Sequence, residues 1–308
     1  MFSHHRDRFS RLPGNIRGAA WLVLAGLCYT IVNSLIKYLG QRLPFLEIAF
    51  FRCVLGVVVL LPTIVRHDFA ALRSRRHFGH FWRGAIATVS MMIGFYVLTR
   101  ISLADATSVG FTTPLFVLVF AAIFLREKVR WRRWTATAVG FAGVLIMMRP
   151  GAAGFDPILL LALFGAALSA VAVCVVKSLT ASESATTLLV MMTLWSSLGL
   201  CVPAIVVWQP PTLLEWGLAL ALGAMATLGQ FCVIHAYSAG EATAVAPFDY
   251  LRLPLSVLSG LWLFAELPSL WTLAGAAVIV GSTLYIARRE AKLGKPVEPA
   301  VKSQKLAA

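Results

Sequence analysis

Ala104-Asp-Ala-Thr-Ser-Val109, followed by Pro114 and closing on Leu125-Arg-Glu127, returns later in the chain as Gly240-Glu-Ala-Thr-Ala-Val245, Pro254 and Phe264-Ala-Glu266. The offset is 136 at the first acid (Asp105 to Glu241) and 139 at the last (Glu127 to Glu266), so one internal gap aligns the copies. Each copy runs into a glycine-rich apolar segment with a basic exit. A duplication of this kind predicts two related halves.

Outward from these copies, apolar blocks of the length that crosses a hydrocarbon core, about 20 residues, fill the chain. Helices are expected near 18–37, 44–65, 81–98, 104–125 and 134–148 in the first half. The second half predicts 157–176, 186–208, 213–236, 242–265 and 270–287. The short fifth helix is expected to borrow a turn from Arg132 and Arg133, whose stems can snorkel. Turn formers separate blocks at Pro150–Gly151, Pro210–Pro211 and Ala239–Gly240. The expected fold is therefore an all-α integral membrane protein of ten transmembrane helices. Its parts are a cytoplasmic tail (1–17), a first repeat (18–149), a second repeat (150–287) and a basic cytoplasmic tail (288–308). Five spans per half is odd, so the copies would run in opposite directions, with a binding site at the midplane between them.

The composition agrees. Of 308 residues, 59% are hydrophobic and only 13% charged, too few charges to cover a soluble protein of this size. Mean hydropathy is +0.82. A net charge of +14 suggests nucleic acid in a soluble chain, but here no basic face interleaves with aromatics, so no nucleic-acid partner is expected. The basic residues fall between apolar blocks. With the N-terminus cytoplasmic, 21 lie inside and four outside (Lys37, Arg42, Arg100, Arg149), with Arg52 and Arg252 inside spans. That bias places both termini in the cytoplasm and requires an even number of spans in the cell inner membrane. The basic start before residue 18 imitates a signal peptide, but the run that follows is long enough to span and reads as an uncleaved first helix.

Cys28, Cys53, Cys174, Cys201 and Cys232 all lie in apolar blocks without a CxxC pair, so they read as buried thiols. No metal site, cofactor or catalytic motif is expected: HExxH, GxSxG and the Walker A loop are all missing. A membrane enzyme is disfavoured on that ground. A non-transporting receptor is disfavoured because the blocks leave no room for a soluble signalling part.

Lys37-Tyr-Leu-Gly-Gln-Arg-Leu-Pro-Phe-Leu-Glu-Ile-Ala-Phe-Phe-Arg52, Thr113-Pro-Leu-Phe116, Phe124-Leu-Arg-Glu127, Val139-Gly-Phe-Ala-Gly-Val-Leu-Ile146 and the stretch from Ala242 to Pro254 come in a specific order. In that order the chain resembles the EamA type of the drug/metabolite transporter superfamily, from about residue 18 to 289. The resemblance implies a ten-helix, inverted-repeat secondary carrier with a central cavity and no ATPase part. The nearest branch includes S-adenosylmethionine, riboflavin and metallophore carriers. It implies a small-molecule substrate, a heteroaromatic metabolite such as S-adenosylmethionine or riboflavin. The alternative is export of an amino-acid-like metabolite or a metallophore.

Among single residues, Arg52 lies eight positions after Pro44, about 12 Å into the membrane. An arginine there costs about 2.5–3.5 kcal/mol and needs a partner or a wet cavity. It reads either as a docking cation for a substrate acid or as half of a structural ion pair. Asp249 and Arg252 share a helix face at i, i+3, beside Tyr250 and between Pro247 and Pro254. Asp249 is a candidate for binding a cation or carrying a coupling proton, a reading preferred to mere self-neutralisation because a self-neutralising pair is still costly in lipid. His235 reads as a bonded intramembrane histidine, with a proton relay the second reading. Asn33, Ser90, Tyr96, Thr112, Thr113, Trp195 and Gln230 are candidates to line a cavity and recognise a heteroaromatic solute. Glu47 reads as solvated at the interface, Asp105 and Glu241 as helix caps, and Arg126–Glu127 and Glu266 as topology or salt-bridge residues. Gly140 with Gly143, and Gly275 with Gly281, suit close helix packing.

Overall fold

Proline at position 114 shapes the fourth apolar block. Its ring excludes the carbonyl four residues back, at Gly110, and it offers no N–H. In the computed structural model the block is accordingly two helices, α4 (Leu103–Gly110) and α5 (Thr113–Phe124), broken at Phe111 and Thr112. Pro254 acts likewise on the ninth block. A 3-10 helix, Ala246–Leu251, ends as α10 (Arg252–Phe264) begins. Each of these expected single helices is therefore corrected to an interrupted one.

The structure describes residues 13–66, 74, 76–124, 131–149, 156–179, 183–239 and 246–292. Expectations for Glu127, Glu241, the Pro150 and Gly240 turns, the side chains of Arg132, Arg133 and Pro247, and the tail residues 1–12 and 293–308 lie outside the residues and side chains described. The remaining elements are α1 (Gly14–Leu39), α2 (Phe45–Arg66), α3 (His77–Arg100), α6 (Trp131–Met148), α7 (Ile158–Leu179), α8 (Ala185–Val206), α9 (Leu213–Ala239) and α11 (Leu270–Lys292). No strand occurs among the described residues. Among the described residues, seven apolar segments of 18 residues or more are long enough to cross a membrane, and Trp134–Met148 and Leu270–Ser282 are shorter apolar helices. Helix α1 begins four residues before the expected start and α11 extends five beyond the expected end, so both reach into the expected tails. On α8, Leu198, Val202, Ile205 and Val206 stand exposed, an apolar outer surface whose natural solvent is lipid.

Helix α1 packs along α9, and α3 along α7. Helix α2 lies against α8 and α9, and α3 also meets α8. Helices α5 and α4 pack on α7, while α10 and the 3-10 helix pack on α1. Helices α6 and α11 form a close pair. A Cβ on Gly275 would sit 2.5 Å from the Gly143 carbonyl oxygen and 2.7 Å from Met147 Cβ. Glycine here lets two backbones touch, the way small residues drive helix association in lipid. Gly140 is as crowded, whereas a Cβ on Gly281 would meet nothing within 4 Å.

One side chain expected at the interface is inside. Glu47 is wholly buried and accepts a hydrogen bond from the Gln209 backbone N–H at 3.1 Å. The α8–α9 connection folds over it, so protein replaces the solvent expected there. Arg42 is tied down by Glu215, donating from Nε to Oε1 at 2.6 Å and from Nη2 to the Pro210 carbonyl at 2.9 Å. Its guanidinium is held above the ordinary arginine pKa by the hydrogen bond to Glu215.

Candidate functional site

A cavity of about 370 Å3 opens between α1, α2, α3, α7 and α8. That volume suits a small organic solute. Helix α1 presents Tyr29, Val32, Asn33 and Ile36, an i, i+3, i+4, i+7 stripe that keeps one face on the cavity. Helix α3 repeats the pattern with Ala87, Ser90, Met91, Gly94, Phe95 and Leu98. Ser169 and Ala172 of α7 and Met192 and Ser196 of α8 complete the wall. Ser90 anchors α3 to α7, donating to the Gly165 carbonyl at 2.9 Å and lying 2.6 Å from Ser169 Oγ.

Arg52 is the charged residue in this wall. Among the described residues it has no carboxylate partner; its Nη1 lies 3.1 Å from the Met91 sulfur, a weak acceptor. The structural ion pair that the sequence allowed is not formed with any described acid.

A second charged group adjoins the cavity through Tyr29. The Tyr29 hydroxyl donates to Gln230 Oε1 at 3.0 Å, and the Arg252 guanidinium sits 4.9 Å from its ring centroid. Gly26 admits the Arg252 stem: a Cβ there would lie 3.1 Å from Arg252 Cγ. Arg252 Nη1 is 3.5 Å from Asp249 Oδ1, the pairing that the i, i+3 spacing allows. Tyr29 carried no signal beyond its aromatic type and went unnoticed in the sequence.

Other candidates sit elsewhere. Tyr96 packs edge-on to Phe45 at 5.3 Å and under Arg100. Thr112 is fully buried at the helix break, donating to the Val109 carbonyl at 2.6 Å. Tyr250 packs on Phe111 at 5.0 Å and so links the two interrupted segments. Trp195 meets Phe81 at 5.3 Å, with Gly84 making room beside it. His235 lies between Phe231 and Trp21, with ring centroids 3.9 and 5.4 Å away, and its Nδ1 is 3.0 Å from the Phe231 carbonyl.

An ionic latch lies next to one end of the cavity. Ile36 and Leu98 line the cavity; just beyond them Lys37 pairs with Glu266 and donates to the Ile101 carbonyl at 2.6 Å. Glu266 Oε2 also accepts from the Leu103 N–H at 3.1 Å. Ala265 aims this carboxylate: its φ of 54° ends α10 in the left-handed region, and the Glu266 N–H turns back to the Gly260 carbonyl. Next to it Asp105 caps α4 with Ser102 and accepts from Thr272 Oγ1 at 2.6 Å. Lys37, expected at the outer end of the first helix, lies in the last turn of α1. Removing Glu266 strands a lysine and a backbone N–H. Glu266→Ala is expected to cost about 2–4 kcal/mol. Adding Lys37→Ala to it should cost less than the two single changes summed, read by thermal melts of the four proteins.

Residues 16–149 match the model of the EamA-like transporter family. The S-adenosylmethionine uptake transporter of Rickettsia bellii is 34% identical over 275 residues, covering 89% of this chain and 94% of the relative. The chain belongs to the EamA-like transporter family. This EamA-like transporter is also 35% identical to the riboflavin transporter of Brucella anthropi over 281 residues, 87% of the chain and 98% of the relative. It is 29% identical to the pseudopaline exporter CntI of Pseudomonas aeruginosa, over 88% of the chain and 96% of the relative. A protein of known crystal structure, 20% identical, superposes with a TM-score of 0.60 over 89% of this chain and 98% of its own, which shows the shared fold. The protein is thus a multi-pass membrane transporter of small molecules and not an enzyme.

Proposed function

We propose that this transporter is a secondary carrier of a polar heteroaromatic metabolite, with S-adenosylmethionine the leading solute and riboflavin second. The observation that carries this is Arg52, a cation facing a cavity that also offers ring faces (Tyr29, Phe95) and neutral hydrogen-bonding groups (Asn33, Ser90, Ser196). A guanidinium without an acid partner suits a substrate carboxylate, which it grips with two parallel hydrogen bonds. S-adenosylmethionine brings a carboxylate and an adenine. Riboflavin brings a ring but no acid, so the cavity favours the former. The named relatives support both solutes. Asp249 is the candidate for proton coupling, held beside Arg252 at the edge of this site. His235, packed between aromatic rings, is the weaker candidate.

The carrier would use ten membrane-crossing segments in two inverted halves. Exchanging the halves maps α1·α9 onto α7·α3, α2·α9 onto α8·α3, and α4 and α5 on α7 onto the 3-10 helix and α10 on α1. The interruptions before Pro114 and Pro254 correspond, as do the prolines inside α2 and α8, Pro62 and Pro203. The bias of basic residues supports an inner-membrane protein with both termini in the cytoplasm.

The test is equilibrium binding to the purified protein in detergent. S-adenosylmethionine should bind more tightly than riboflavin, and both more tightly than adenosine or methionine alone. Equal binding of all four, or of none, would refute the assignment.

A further inference from the structure

Below the cavity lies a second arginine that no role described so far uses. Arg83, inside the helix expected over 81–98, belongs to α3 and is only 8% exposed. Ala87, Ser90 and Gly94 line the cavity, and Arg83 stands at the preceding position of the same stripe, four residues before Ala87. Across from it, Leu188, Met192 and Ser196 share one face of α8, and Met192 and Ser196 line the cavity. Arg83 bridges the two stripes: Nη1 donates to the Leu188 carbonyl at 2.5 Å and Nη2 lies 3.5 Å from the Met192 sulfur. It therefore lies one turn below the lining residues, on the side where α3 begins. One turn further on, His80 faces Glu183 at 3.8 Å, and Ser74 donates to the same carboxylate oxygen at 2.6 Å.

Each of these arginines touches a methionine sulfur of the cavity wall, Arg83 in addition to the Leu188 carbonyl. A thioether is a weak partner for a guanidinium, and a carboxylate replaces it with a shorter, charge-assisted bond. A buried cation so partnered is costly in a membrane unless a ligand uses it. We infer that Arg83 is a second docking cation, which receives the substrate's carboxylate from Arg52 and in doing so releases Leu188, freeing α3 from α8 on that side. Binding would then loosen the floor only for solutes that carry an acid. An acid-free solute would fill the cavity and leave Arg83 on its carbonyl. This rests on the proposal that the carrier takes an acid-bearing heteroaromatic metabolite.

The experiment compares S-adenosylmethionine with its decarboxylated analogue in proteoliposomes, alongside equilibrium binding in detergent. Wild type should move the acid-bearing solute faster. Arg83→Gln should cut its transport about tenfold, the worth of one charge-assisted contact. Its binding, set by Arg52, should move less than about threefold, and transport of the analogue should hold steady. The ratio between the two solutes collapses. Arg83→Lys keeps a buried cation with a single-point donor, so its ratio should fall between; it also serves if Arg83→Gln does not fold. A fall of both solutes by the same factor would make Arg83 a structural tie and overturn the inference, as would unchanged transport. Wild type that moves neither solute removes the parent proposal, and this inference with it.

Discussion

Arg52→Ala abolishes most transport while leaving the amount of folded protein unchanged. Arg52 has no described acid partner, so its removal breaks no ion pair with a described acid; it deletes a cation that costs about 2.5–3.5 kcal/mol to hold in the membrane. Loss of that cost offsets the loss of the Met91 contact, and the melting temperature should stay level or rise. The substrate acid loses its partner, worth about 1.5–3 kcal/mol for bonds to a charged group, a factor of about 10 to 100 in apparent affinity. Arg52→Lys should fall between, because an ammonium cannot make the paired contact. Initial-rate uptake across a range of substrate concentrations, together with a melt, checks both halves. If Arg52→Ala unfolds the protein, the arginine is structural after all.

Gly275→Val should have the opposite signature: folded protein disappears and no transport remains to be measured. The new Cβ would lie 2.5 Å from a backbone oxygen on α6, and neither helix can yield without parting the pair. Overpacking into a core that can adjust costs about 1–3 kcal/mol, and this contact, backbone against Cβ, should exceed that range. Gly281→Ala on the same helix is the control. Its Cβ meets nothing within 4 Å, so the substitution should be neutral or gain up to about 1 kcal/mol of helix propensity. Size-exclusion profiles in detergent distinguish the two outcomes directly.

The helices were legible because lipid imposes a simple requirement, twenty apolar residues in a row, and the chain meets it repeatedly. What the pattern concealed were interruptions inside unbroken apolar runs. Phe111 and Thr112 look no different from their neighbours, and only Pro114 marks the break. The residues of the site were legible in proportion to their oddity. Arg52 stood out as a charge in mid-span. Tyr29 did not, because an aromatic in an apolar block is ordinary, and its value comes from Gln230 and Arg252, some two hundred residues away. Arg83 falls in the expected helix 81–98, and the signal that it sits next to the cavity is the small-residue stripe Ala87, Ser90 and Gly94, which continues back to it at helical spacing. Glu47 is buried rather than solvated for a related reason: its partner, Gln209, comes from the other half of the chain, and interface position alone reads as solvent.

The direct test of transport is uptake of radiolabelled S-adenosylmethionine by proteoliposomes preloaded with the unlabelled compound. A carrier that alternates access predicts saturable uptake, faster with the preload than without, and lost with Arg52→Ala. Uptake no greater than in protein-free liposomes, from protein shown to be folded and to bind the solute, would contradict it and describe a receptor instead.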